Sequence, residues 1–139
     1  MPIEFIDHVN IRCEDLDASR RFYVEVIGLS DGDRPPMASA GAWLYSGSHA
    51  LVHLVDRKAE GSISQPRPQL ADDDVDLRIT GSFDHIALNA TGRAEMQTRL
   101  KAMDIPYKQT VVRRSGAHQL FLRDPDGVKI ELNYPASEL

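Results

Sequence analysis

The chain has 139 residues, the size of one compact domain with room for a real core. Hydrophobic residues make up 42% and charged residues 27%, a globular mix that excludes a disordered or fibrous protein. The net charge of -5 gives no electrostatic reason to expect nucleic acid, and no apolar run approaches the roughly 18 residues that span a bilayer.

The first predicted element is a strand over Glu4–Arg12. From His8 it alternates polar and apolar, so Val9 and Ile11 face one way and His8, Asn10 and Arg12 the other. The opening Met1-Pro2-Ile3-Glu4 has no basic or cleavable apolar segment, which predicts a cytoplasmic protein. The single cysteine, Cys13, follows this strand, so no intramolecular disulfide forms, and a packing role is expected.

A helix follows, capped by Asp15 or Asp17, with Leu16, Tyr23, Val26 and Ile27 at helical spacing and Gly28 as its stop. Ala42–Tyr45 and Ala50–Val55 read as paired strands around the turn Ser46-Gly47-Ser48. Residues 58–82 carry Gly61, Pro66, Pro68, Gly81 and the run Asp72-Asp73-Asp74, the signature of a long, mobile linker.

The opening pattern then returns. Ser82–Asn89 echoes Phe5–Arg12, and a second helix follows, with Thr91 as its cap and Met96, Leu100 and Met103 on one face. Ile105-Pro106 ends that helix. Gln119–Leu122 and Val128–Asn133 are strands joined by the tight turn Asp124-Pro125-Asp126-Gly127. The whole reads as a duplication: module one over 1–57, a linker over 58–82 and module two over 83–139, within one domain.

The repeat aligns a set of donor side chains. His8 opens module one and His85 the matching place in module two, each after an Asp. The late-strand partners, His53 and Glu131, follow at 45 residues (8 to 53) and 46 residues (85 to 131). A lone strand histidine is ordinarily structural, but three histidines and a glutamate at duplicated positions read as a metal set. Imidazole with carboxylate suits Fe, Ni, Co, Zn or Mn rather than Ca or Mg. His49, near a turn, and His118, entering the strand before the Asp-Pro-Asp-Gly turn, remain as supporting or acid/base candidates.

Asp7-His8-Val9-Asn10-Ile11, Arg21-Phe22-Tyr23 with Val26-Ile27-Gly28-Leu29, Asp84-His85-Ile86-Ala87-Leu88, and Phe121 through Leu132 together resemble the vicinal oxygen chelate superfamily. That superfamily includes glyoxalase I, extradiol dioxygenases and bleomycin-resistance proteins. The resemblance implies an α+β fold of two tandem βαβββ modules, with a cupped mixed or antiparallel sheet around a metal site. It carries His8, His53, His85 and Glu131 onto the family's ligand positions and implies a homodimer. His53 departs from the Glu of glyoxalase I-like enzymes. Leu54-Val55-Asp56-Arg57 lacks the Tyr-Asn pair of the bacterial glyoxalases, and Phe121 stands where extradiol enzymes resemble one another in a Tyr.

The expected function is therefore a divalent-metal-dependent, glyoxalase-like lyase or isomerase acting on a small substrate with adjacent oxygens through a metal-stabilised enediolate. Glu131 or His118 moves the proton, and Asn10 and Arg12 contact substrate oxygens. Two alternatives stay open: an extradiol-type ring-cleaving dioxygenase, and a protein that sequesters a small molecule without turning it over.

Overall fold

The computed structural model describes residues 5–58 and 85–138, which fall into two separate compact units. Each unit is a βαβββ module with a four-stranded mixed sheet.

In the first unit, β1 (Val9–Cys13) leads into α1 (Leu16–Arg21), then β2 (Ser30–Gly32), β3 (Gly41–Ser46) and β4 (His49–Asp56). Asp15 caps α1: its Oδ1 accepts the Ala18 N–H at 3.0 Å. The helix widens into a π-helical segment over Phe22–Ile27, where the Gly28 N–H reaches back five residues to the Tyr23 carbonyl at 3.1 Å. Gly28 then ends it in the left-handed conformation, φ 93°, where a Cβ would clash with the backbone.

The sheet order is β1-β4-β3-β2, with β1 and β4 parallel and the other pairs antiparallel. Its apolar face, Ile11, Cys13, Ala42, Leu44, Val52 and Leu54, is buried. Tyr23, Val26 and Phe22 are buried with it, and α1 packs on β3 and β4. Cys13 is fully buried and its thiol donates to the Ile11 carbonyl at 3.6 Å, which fits the packing role expected of it.

In the second unit the elements are β5 (His85–Asn89), α2 (Arg93–Ala102), β6 (Lys108–Val111), β7 (His118–Arg123) and β8 (Lys129–Tyr134). The order β5-β8-β7-β6 repeats the first sheet, again with only the β5–β8 pair parallel. Leu120, Leu122, Ile130, Leu132 and Tyr134 form the buried face, with Met96 and Leu100 of α2. The predicted turn closes β7 onto β8. Asp124 Oδ1 accepts the N–H groups of Asp126 at 2.9 Å and Val128 at 2.8 Å.

Several expectations differ from what is found. β1 begins at Val9 rather than Glu4, and Phe5 and Ile6 stay exposed. The short strands β2 and β6 supply the third strand that the βαβββ resemblance implies after each helix, but the residue pattern did not locate them: each lies at a sheet edge, is exposed throughout, and carries no alternating apolar pattern to betray it. Thr91 does not cap α2. The N-cap is Gly92, and the carboxylate of Glu138 accepts the N–H groups of Gly92 at 2.6 Å and Arg93 at 2.9 Å. A tertiary carboxylate thus does what the local sequence assigned to Thr91. Apart from Lys58, the predicted linker over 58–82 lies outside the described residues, as does the start of the Ser82–Asn89 strand.

Candidate metal centre

The duplication extends to the register. In the parallel ladder of the first unit Asn10 lies across from His53, and in the second Ala87 lies across from Glu131. Asn10 and Ala87 each stand two residues after an early histidine, so the early and late donors share one sheet face in each unit. His8, Asn10, Arg12, His53 and Val55 share a face in the first. His85, Ala87, Glu131 and Asn133 share one in the second.

In the first unit the His8 ring lies flat on the His53 ring, centroids 3.8 Å apart and planes within 10°. Trp43 stacks on the other side of His53 at 4.0 Å and 13°. His53 is thereby buried, 9% exposed. Burial holds its pKa below the ordinary value of 6.5, and the neighbouring His8 adds to the effect. A carbonyl only accepts, so the His53 Nε2–H donates to the Ala50 oxygen, 3.1 Å away, and the lone pair sits on Nδ1.

His8 carries the opposite tautomer. Its Nδ1 meets Asp7 Oδ2 at 2.7 Å, which leaves the Nε2 lone pair outward. A carboxylate behind an imidazole in this way is the usual support of a metal-ligating histidine. The Asp7 pKa is lowered, first by this hydrogen bond. His49, exposed at the start of β4, donates from Nε2 to the Asp7 carbonyl and so braces the same segment.

In the second unit His85 Nε2 and Glu131 Oε2 are 2.9 Å apart. Glu131 is buried, and its other oxygen, Oε1, accepts from Gln119 Nε2 at 2.7 Å. The same amide donates to Asn133 Oδ1 at 3.0 Å, and its own oxygen accepts the Thr110 hydroxyl proton at 3.0 Å. His118 lies elsewhere: it pairs with Tyr134, on the sheet face away from Glu131, and its Nδ1 accepts from Gln109 at 3.3 Å. A cavity of about 500 Å³ opens beside this network, lined by Asn89, Ala90, Ala117 and Asn133 among others.

Each unit thus presents two adjacent donors. Among the described residues no group of three or more His, Cys, Asp or Glu lies together as a metal cluster. The donor types in each unit, two imidazoles backed by Asp7 in the first and an imidazole with a carboxylate backed by Gln119 in the second, are those that divalent Fe, Ni, Co, Zn or Mn take.

Sequence reasoning placed the four donors but assigned nothing to Asp7, Trp43 or Gln119. Asp7 was visible beside His8 in the repeated motif. Gln119 was legible too: once the Asp124–Gly127 turn sets the β7–β8 register, Phe121 falls across from Glu131 and Gln119 across from Asn133, on that same face.

The comparisons agree with this architecture. The chain is 29% identical over 131 residues to Glyoxylase I 4 of Arabidopsis thaliana, covering 91% of this chain and 68% of that protein. It is 26% identical to the virulence protein STM3117 of Salmonella typhimurium, covering 96% of this chain and 85% of the relative. In structure it is similar to the lactoylglutathione lyase of Agrobacterium tumefaciens, with a TM-score of 0.65 at 23% identity over 96% of both chains. It is also similar to the fosfomycin resistance protein FosX of Listeria monocytogenes, at 0.66 and 15% identity, over 95% of this chain and 93% of that one. At such identities the structural likeness speaks for the fold alone. Residues 5–132, which include all four donors, match the family profile of the Glyoxalase/Bleomycin resistance protein/Dioxygenase superfamily, and the chain belongs to that superfamily.

Proposed function

We propose that His8, His53, His85 and Glu131 serve one divalent ion, and that the protein is a glyoxalase-like lyase or isomerase acting on a small substrate with adjacent oxygens. The observation that carries this reading is the duplicated register: each unit sets an early histidine and a late donor on one face, at equivalent places. The Asp7–His8 contact supports it, because it leaves the His8 Nε2 lone pair outward.

A divalent ion held there supplies positive charge to the negative charge that develops on the substrate oxygens as a proton leaves carbon. The chain's own residues do the rest. Glu131 takes the proton at Oε2, the oxygen that Gln119 leaves uncovered. His118, on the opposite sheet face, is left out of that step. Asn10, beside His53, and Arg12 are placed to hold substrate oxygens. The bulk of a small substrate fits the uncharged cavity at Asn89, Ala117 and Asn133. The assembly that goes with this reading is a homodimer, tested by sedimentation at micromolar concentration.

A second reading has one observation behind it. His53 is buried between the rings of His8 and Trp43, as a packing histidine is; with His53 counted so, His8, His85 and Glu131 form a two-histidine, one-carboxylate set, which suits ferrous iron and dioxygen chemistry.

Elemental analysis of the purified protein, with Ni²⁺ titration of the metal-free form, tests the first reading. Wild type should bind one ion per chain, and His53→Ala and Glu131→Ala should each cut occupancy while the circular dichroism spectrum is retained. Full metal content in His53→Ala, with oxygen consumption on a catechol panel, would favour the dioxygenase reading. Absence of any metal binding would leave sequestration of a small molecule.

A further inference from the structure

The Glu131 carboxylate is not left to choose its own orientation. It has two oxygens and meets two donors, His85 Nε2 at Oε2 and Gln119 Nε2 at Oε1. A carboxylate rotates freely where only one oxygen is held. It is pinned where both are held from different strands, here β5 and β7.

The Gln119 amide is itself pinned. Its NH2 group has two protons, one spent on Glu131 and one on Asn133 Oδ1 at 3.0 Å. Its oxygen takes the hydroxyl proton of Thr110 from the edge strand β6, 3.0 Å away. Turning the amide over would bring its oxygen against the buried Glu131 carboxylate, acceptor against acceptor, and an unpaired polar group there is costly. Thr110, Gln119, Glu131 and His85 thus form one hydrogen-bonded chain across all four strands of the sheet, from its β6 edge to its β5 edge, with the donors on both sides converging on the Glu131 carboxylate.

We propose that Gln119 is a positioning residue that holds Oε1 of Glu131 away from the metal and presents Oε2 as the single working oxygen. The proposal rests on Glu131 being a metal ligand and proton acceptor, as above. Gln119 touches neither ion nor substrate in this role. It sets which oxygen of Glu131 does, and it keeps that carboxylate one-pointed, so that a divalent ion retains a position for a substrate oxygen. Supporting residues of this kind typically change metal affinity by 10- to 100-fold when removed.

The test uses Gln119→Met, which keeps side-chain length and removes the donor. Ni²⁺ binding to the metal-free protein is measured by calorimetry in wild type, Gln119→Met, Glu131→Ala and the double variant. Separately, ¹⁵N spectra of the metal-free protein at pH 8 report which His85 nitrogen carries the proton. The expected result is a loss of about 10-fold or more in Ni²⁺ affinity for Gln119→Met, no further loss when Glu131→Ala is already present, and a shift of His85 from the Nε2–H form toward a mixture. The same loss in both backgrounds, or unchanged affinity with an unchanged His85 tautomer, overturns the proposal. If Glu131→Ala binds Ni²⁺ as wild type does, the metal reading fails, and the His85 tautomer alone then decides whether Gln119 orients the carboxylate. Should Gln119→Met not fold, Thr110→Val on the exposed edge strand removes the anchor of the same amide, with a smaller shift of both readouts expected and no shift in either counting against it.

Discussion

The imidazole of His8 lies face to face with that of His53, centroids 3.8 Å apart, and Trp43 closes the other side of His53 at 4.0 Å. Trp43 is the only tryptophan in the chain, so its emission comes from one site, the surroundings of the His53 ring. A paramagnetic ion bound at His53 would quench an indole this close. Titrating the metal-free protein with Ni²⁺ should therefore lower Trp43 emission with the same midpoint as calorimetric binding. His53→Ala should abolish the quenching. Unchanged fluorescence at saturating Ni²⁺ would remove His53 from the ligand set.

Asp124 organises the turn between the two strands that carry Gln119 and Glu131. Its buried carboxylate accepts two backbone N–H groups, at 2.9 and 2.8 Å. Asp124→Ala removes the charged acceptor that both N–H groups use, at a cost of about 1.5–3 kcal/mol. Urea unfolding should show that loss, and Asp124→Asn, which retains one acceptor oxygen, should recover part of it.

Glu138 ties the C-terminal segment to the start of α2. The backbone N–H groups of Arg93 and Gly92 hold its pKa below the ordinary value of 4.5. The folded protein therefore binds fewer protons at Glu138 than the unfolded chain does in the acid range, and stability rises with pH there. The contribution is complete above pH 4.5 and is lost as pH falls through the lower folded value. Glu138→Gln should be less stable than wild type at neutral pH, and the gap should close toward pH 3. A constant gap across that window would show that charge is not the cause.

Leu120 is fully buried at the centre of the second sheet, across from Leu132. Leu120→Ala should cost about 2–5 kcal/mol, through lost burial and the cavity left behind. A denaturant midpoint within error of wild type would mean that this face is not the core of the unit.

Much of this protein was legible in local pattern. Alternation from His8 onward, the Asp15 cap, the Gly28 stop and the Asp124–Gly127 turn are signals carried within a few residues, where sterics and hydrogen bonding act directly. Duplication did the rest, since nearly equal spacing from His8 to His53 and from His85 to Glu131, 45 and 46 residues, picks out equivalent places without knowledge of how the strands pair. What tertiary structure alone decided lies between segments far apart in the chain. Glu138 caps a helix 45 residues before it, because a carboxylate satisfies orphan N–H groups from any distance in sequence. Trp43 stacks on His53 only because β3 pairs with β4 in that register. His118 fell on the far face of its strand because its register puts it across from Tyr134, and a side chain's face is fixed by its pairing rather than by its nearness in sequence to a functional residue.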